Sequence, residues 1–323
     1  MSYDLYFLRR QDSDPVSASD IVENLRSRQH YTVQGTQCWY QNEDTGVYFS
    51  FDRHPSDAES ADAEGEEGEA AGEVADGLEP VDLSFNINYF RPHYFGLEAE
   101  LELSALTDRF SLLVDDPQNE GMGRGEYSRE GFLRGWNAGN LFGHYACVKG
   151  MHEGQKSISN PDLDALPAAK LEAIWSWNYQ RAQLQKELGD DVFVPTIRLV
   201  RHEGRPQTFV VWGDGIPEAL PEVDLYVLVR DELAPRRLFR KSQDVCLVEA
   251  EEVRPLLSGA RLVEAKPPYH LFRYGQPPRL VVDFFQSRRP LAGKLDGIAN
   301  DKVLTQETLD RALASTREKR GNE

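Results

Sequence analysis

The chain has 323 residues, room for two domains of about 150 residues each, and a formal net charge of −18 from 54 acidic against 36 basic side chains. That balance argues against a primary nucleic-acid binder, whose affinity comes largely from Lys and Arg releasing counterions from phosphates. Cys38, Cys147 and Cys246 stand far apart with no C-x-x-C spacing, and no run approaches the ~18 apolar residues of a membrane span or the apolar core of a leader, so the expectation is a cytoplasmic protein without disulfides or membrane contact.

Tyr3 to Leu8 alternates as a strand does, and Asp14-Pro15 breaks it. Ser17 and Asp20 have capping-box spacing ahead of an apolar stripe of Ile21, Val22 and Leu25, which predicts a helix. Tyr31 to Tyr40 and Val47 to Phe51 follow as two strands of a hairpin, turned through Asn42–Gly46 with Gly46 free to take positive φ. Between Asp57 and Asp82 come eleven carboxylates with no Lys or Arg; removing them from −18 leaves −7 over the other 297 residues. The acidity therefore belongs to an insert, at about 55–80, that buries too little to offset its ordering entropy and is expected to be disordered.

Leu83 to Phe90 alternates again, with Ser84, Asn86 and Asn88 on its polar side, and Arg91-Pro92 ends it. A helix over Tyr94–Leu106 and a strand over Phe110–Val114 complete an order that suits a ferredoxin-like α+β layer domain. The predicted helix from Ser128 to Cys147 carries Gly131, Gly135, Gly139 and Gly143 at every fourth position. Each Gly costs a helix about 1 kcal/mol relative to Ala, so four in register imply that close approach of another surface recovers the loss. Tight internal packing, a partner surface and a non-helical loop all fit that stripe.

Past the turn residues Ser157–Pro161 the pattern predicts a helix over Ala168–Leu188. Strands follow at Val192–Val200, Thr208–Trp212, Val223–Val229, Val245–Val248, His270–Tyr274 and Leu280–Phe285, and a last helix from Thr305 to about Arg317. The layout is an α+β domain over 1–155 and a second, strand-rich α+β domain over 160–323. On the long helix Trp175 falls in the core stripe and Trp177 on the other face, a candidate interface anchor.

Catalytic motifs are scarce. Asp44-Thr45-Gly46 spells the aspartic-protease tripeptide, but it follows Asn42-Glu43 rather than an apolar strand, has no second copy, and fits a turn at every residue. Gly121-Met122-Gly123-Arg124-Gly125 precedes a helix, where amides can receive phosphate, yet lacks the spacing of a dinucleotide loop and the Gly-Lys-Ser/Thr of a P-loop, and reads as a connector. His144, Cys147 and His152 lack a fourth ligand and the spacing of a zinc site, and nothing in the sequence orients His144 as a base for Cys147. No metal and no cofactor is expected.

Three strings carry a resemblance: Tyr40-Gln41-Asn42-Glu43-Asp44-Thr45-Gly46-Val47-Tyr48-Phe49-Ser50-Phe51, then Asn88-Tyr89-Phe90-Arg91-Pro92 with Phe95-Gly96-Leu97-Glu98-Ala99, then Val114-Asp115-Asp116-Pro117-Gln118. Over residues 1–150 the chain resembles uncharacterised bacterial cytosolic proteins similar to the immunity partners of contact-dependent or polymorphic toxins. The resemblance implies a protein that binds a toxin catalytic domain and occludes its active site; a cationic nuclease would suit the acidity. Two alternatives stand beside it: an enzyme whose site is assembled between the domains, with His144, Asp115 and Arg91 as candidates, and an adaptor subunit of a larger complex. Nothing in the sequence sets an oligomeric state.

Overall fold

The computed structural model describes residues 1–54, 77–154, 163–234 and 244–321. They form two compact units, Met1–Leu163 with Leu304–Glu323, and Asp164–Val303. Most of the acidic insert, and the expectation of disorder attached to it, lies outside the described residues.

The first unit runs β1 (Ser2–Arg10), α1 (Ala18–Arg26), β2 (Tyr31–Gln34), β3 (Gln37–Asn42), β4 (Val47–Arg53), β5 (Leu78–Asn88), α2 (Tyr94–Phe110), β6 (Leu113–Asp116), β7 (Gly123–Glu126) and α3 (Arg129–Gly154). Its strands make one antiparallel sheet in the order β2-β3-β4-β5-β1-β6-β7. The α+β class holds. The four middle strands alternate with α1 and α2 as in a split βαβ pair. The β2–β3 hairpin and the edge strand β7 nevertheless take the sheet as a whole outside the ferredoxin-like order. Both additions sit where the sequence reading sees something else. Gly35, at φ +59°, turns the chain inside the single strand expected over Tyr31–Tyr40, and the expected connector Gly121–Gly125 supplies β7, which pairs with β6. β5 also begins well before Leu83, because Leu78, Glu79 and Pro80 pair with β1 across a bulge.

Alternation decides the two faces of this sheet. Cys38, Phe51, Phe85 and Leu5 form one cross-strand row of buried side chains. Phe132 of α3 packs edge-on to Phe85 and Tyr3, with ring centroids 6.2 Å and 5.0 Å apart. The α1 helix has the expected Ser17–Asp20 capping box and buries Ile21 and Leu25. Ser19 on α1 accepts from Arg53, which by alternation shares the Phe51 side. On α2, buried Glu98 accepts from Tyr40 Oη (2.7 Å), Asn42 Nδ2 (2.9 Å) and Thr45 Oγ1 (3.1 Å), fastening the β3–β4 hairpin to the helix. α2 outlasts its expected end and stops at Ser111, in left-handed conformation at φ +52°, where the Leu112 amide donates to Thr107 O.

The second unit contains β8 (Ala165–Leu166), α4 (Ala168–Leu188), β9 (Arg198–His202), β10 (Arg205–Gly213), β11 (Ala219–Pro221), β12 (Leu225–Arg230), β13 (Asp244–Glu249), α5 (Ala250–Leu257), β14 (Arg261–Val263), β15 (Tyr269–Leu271), α6 (Arg279–Ser287) and β16 (Asp296–Ile298). Five strands pair in the order β13-β12-β10-β9-β16, parallel only between β10 and β12, and β11-β15-β14 form a smaller antiparallel sheet. Two expected strands fail here for local reasons. Much of Val192–Val200 is irregular because α4 side chains take its backbone bonds: Asn178 exchanges two with Ile197, and Gln185 donates to Val192 O and accepts from Val194 N. Leu280–Phe285 is helical, as α6, with Val281, Phe284 and Phe285 buried at helical spacing. Its last turn is held by the wholly enclosed Arg230, which donates to Phe285 O and Arg288 O and pairs through Nε and a terminal nitrogen with Asp244.

β17 (Leu304–Thr305) and α7 (Gln306–Gly321) belong to the first unit, whereas the sequence reading makes a single cut between 155 and 160. α7 packs on α3 and buries Leu309 and Ala312.

Candidate functional site: the open face of the first sheet

The residues that alternate with the buried row point to the other side of the sheet. One cross-strand row reads Trp39, Ser50, Asn86, Asp4, and the next reads Gln37, Asp52, Ser84, Tyr6, Asp115, Arg124. At about 4.8 Å between strands, Trp39 and Asp4 stand ~14 Å apart across four strands. Trp39 is 40% and Tyr6 37% exposed, the two large apolar side chains on an otherwise polar lattice.

Short hydrogen bonds hold that lattice in one arrangement. Asp52 accepts from Gln37 Nε2 at 2.7 Å and Ser50 Oγ at 2.9 Å; Asp4 accepts from Asn86 Nδ2 at 2.5 Å and Ser2 Oγ at 2.9 Å. Trp39 Nε1 donates to Gln37 Oε1 at 2.7 Å, so the indole is oriented by the same glutamine that holds Asp52. His54 Nε2 and Ser84 Oγ share a bond at 2.9 Å. Asp115 differs: Arg124 Nε and a terminal nitrogen both donate to its Oδ2, at 2.9 and 2.5 Å. Asp4 and Asp52 are thus held by neutral donors, and neither has an ion pair among the described residues. The face carries two uncompensated negative charges, fixed in place, beside two exposed aromatics.

The residues singled out in the sequence lie elsewhere. Gly131, Gly135, Gly139 and Gly143 do form one face of α3, but it is covered by the protein itself. A Cβ at these positions would lie 2.3 Å from Met122 Cγ, 2.9 Å from the Tyr3 ring, 2.0 Å from the Tyr89 ring and 3.2 Å from Tyr89 Cβ, in that order. The stripe is therefore a packing seam, and the partner-surface reading of it does not stand. Trp177 is corrected too: it is 3% exposed, donates to Pro195 O at 2.7 Å and packs edge-on to Tyr269, while Trp175 is the less buried of the two. The loop 189–197 folds back over the Trp177 side of α4, which a helical wheel has no means of showing.

The other candidates are structural. Asp44-Thr45-Gly46 is the β3–β4 turn, with Gly46 at φ +76° and Thr45 bound to Glu98. The amides of Gly121 and Met122 donate to Gln118 O and Asp116 Oδ2 rather than facing outward for an anion. His144 is enclosed in the core with Nδ1 2.7 Å from Asn140 O, and burial holds its imidazole below the ordinary range. Burial pushes the Cys147 thiol up, the opposite of an activated nucleophile. His144, on the helix side, and Asp115, on the open face and paired with Arg124, do not converge. Among the described residues no group of three His, Cys, Asp or Glu is gathered for a metal, and no helix is long and apolar enough to cross a membrane.

The open face left a signal in the sequence, the alternation of Ser84, Asn86 and Asn88 against Leu83, Phe85 and Ile87. It takes the register of four strands to bring Trp39, Asp52, Asp4 and Tyr6 beside them. Comparison with protein-family models, with curated proteins and with solved structures returns no match.

Proposed function

We propose that this protein works by binding another protein, with the open face of the first sheet as the docking surface. The carrying observation is the pair of carboxylates, Asp4 and Asp52, held by neutral donors between exposed Trp39 and Tyr6. Aromatics are the side chains that most often anchor interfaces, and a surface whose rotamers are already fixed loses little entropy on association. Uncompensated negative charge selects a partner with a cationic patch and speeds its approach.

The particular binding protein we propose is an immunity protein that neutralises a toxin catalytic domain by covering its basic active-site surface. Support comes from the resemblance over residues 1–150, and the anionic lattice has the sign such a surface requires.

Co-expression with the toxin encoded beside it in a sensitive bacterial host tests the proposal. Wild-type protein restores growth and co-purifies with the toxin. Trp39→Ala weakens the complex by about 30-fold or more, the size of an interface anchor, and Asp52→Asn lowers the association rate and flattens its salt dependence. Unchanged killing with wild-type protein and no recovered complex overturns the proposal.

A further inference from the structure

In the second unit Glu218 immediately precedes β11. Its side chain is wholly enclosed, and neither carboxyl oxygen has a hydrogen-bond partner. Its backbone is pinned on both sides. The amide donates to Phe272 O at 3.1 Å, the carbonyl accepts from Phe272 N at 2.9 Å, and a parallel bridge joins Glu218 to Phe193, flanked by Phe193 N to Pro217 O at 3.0 Å and Ala219 N to Phe193 O at 2.9 Å. The side chain therefore cannot swing to solvent while this three-strand seam is closed.

Among the described residues no cation is paired with it. The titratable groups that sense its charge are Tyr226 of β12 and Tyr274 beyond β15, and both hydroxyls are committed elsewhere, to Pro221 O at 3.2 Å and Gly215 O at 2.5 Å. His270 of β15 is registered opposite Leu220, and Glu222 stands beyond the end of β11, where it adds only negative charge. Phe272, the backbone partner of Glu218, packs against Trp212 at 5.0 Å, and Trp212 packs against Phe285 at 5.1 Å. An ionised carboxylate without donors in such a place is strongly disfavoured, and burial pushes the group well above the ordinary carboxylate range.

We propose that Glu218 is a proton-operated latch in the second unit: as the neutral acid it lets the Phe193–Glu218–Phe272 seam close, and on losing its proton it draws water and opens that seam. The sign follows from linkage. In the opened segment the carboxyl titrates in the ordinary carboxylate range, in the closed one higher. Between those two values the open form binds fewer protons, so the closed form is favoured at low pH and loses ground about tenfold per pH unit as pH rises, levelling off above the higher value.

Amide exchange at Phe193, Ala219 and Phe272, corrected for intrinsic exchange chemistry, tests this between about pH 5 and 8. Protection in the wild type is expected to fall as pH rises above the ordinary carboxylate range, by up to about tenfold per pH unit, and then to level off. In Glu218→Gln it is expected to stay flat and to exceed the wild type at neutral pH. Should the Gln variant fail to fold, Glu218→Met removes the same proton without leaving polar atoms, and the same flat profile is expected. A flat wild-type profile, or the same slope in the variant, overturns the latch.

Discussion

Replacing Gly139 by Ala sets two effects of known size against each other. Helix propensity alone favours the alanine by about 1 kcal/mol. Against that, the new Cβ would lie 2.0 Å from Tyr89 Cε1 and 2.1 Å from Cζ, far inside van der Waals contact. The ring has little freedom to retreat: it stacks on Trp136 at 5.7 Å, meets Tyr3 edge-on at 6.0 Å, and its hydroxyl donates to Gln118 Oε1 at 2.9 Å. Overpacking of this kind costs about 1–3 kcal/mol, and losing the hydroxyl's bond adds about 1 more. The net expectation is a loss of ~1–3 kcal/mol, or a fall in Tm of about 2–4 °C for each kcal/mol in a domain of this size. Urea denaturation followed by circular dichroism measures it. Repeating the change in a Tyr89→Leu background, where the ring is gone, should reverse its sign and return up to ~1 kcal/mol of helix propensity. If Gly139→Ala is as stable as the wild type, or if the two changes are additive within ~0.5 kcal/mol, the seam between α3 and Tyr89 is not what keeps glycine at this position.

Two further substitutions probe the buried polar anchors. Glu98→Ala removes the shared acceptor of Tyr40, Asn42 and Thr45 at once, so a loss of about 3–5 kcal/mol is expected in the same denaturation assay, against about 1 kcal/mol for Tyr40→Phe, which removes one of those three bonds. Arg230→Met leaves Asp244 unpaired and takes the guanidinium donor from two carbonyls at the end of α6. It should cost about 3–5 kcal/mol, whereas Arg230→Met combined with Asp244→Leu should recover much of that loss, because no charge is then left buried alone.

How much of this was legible in the sequence depended on the reach of the forces involved. The α1 capping box and the full extent of α4 were legible because caps and 3.6-residue periodicity act within a few residues. The glycine period on α3 was equally visible, and its energetic cost pointed to a close neighbour. That the neighbours are Tyr3, Tyr89 and Met122 follows from chain reversals that no local pattern encodes. Leu280–Phe285 misled because its β-branched and aromatic residues favour a strand, while burial of Val281, Phe284 and Phe285 and the Arg230 cap decide for a helix. Trp177 misled for a related reason: the face of α4 that becomes buried is the one covered by a loop folding back from the helix end. Glu218 carried no signal at all, since a lone glutamate between Pro217 and Ala219 reads as a solvated turn.

The open face has a feature that stability alone does not account for. In an antiparallel sheet an opposite charge placed across from a carboxylate adds up to about 1 kcal/mol, and this sheet uses that device at Asp115 and Arg124 and at Glu79 and Arg9. At Asp52 and Asp4 the cross-strand positions hold Gln37 and Ser84, and Asn86. These residues orient the carboxylates without cancelling their charge. Exchanging Asn86 for Lys should therefore leave the fold unharmed, or stabilise it by a few tenths of a kcal/mol, while weakening the proposed cationic partner. Glu98→Ala should do the reverse in kind, reducing stability while leaving the charge of the open face untouched. If Asn86→Lys leaves partner affinity and its salt dependence unchanged, Asp4 is an ordinary solvated carboxylate and the docking surface lies elsewhere.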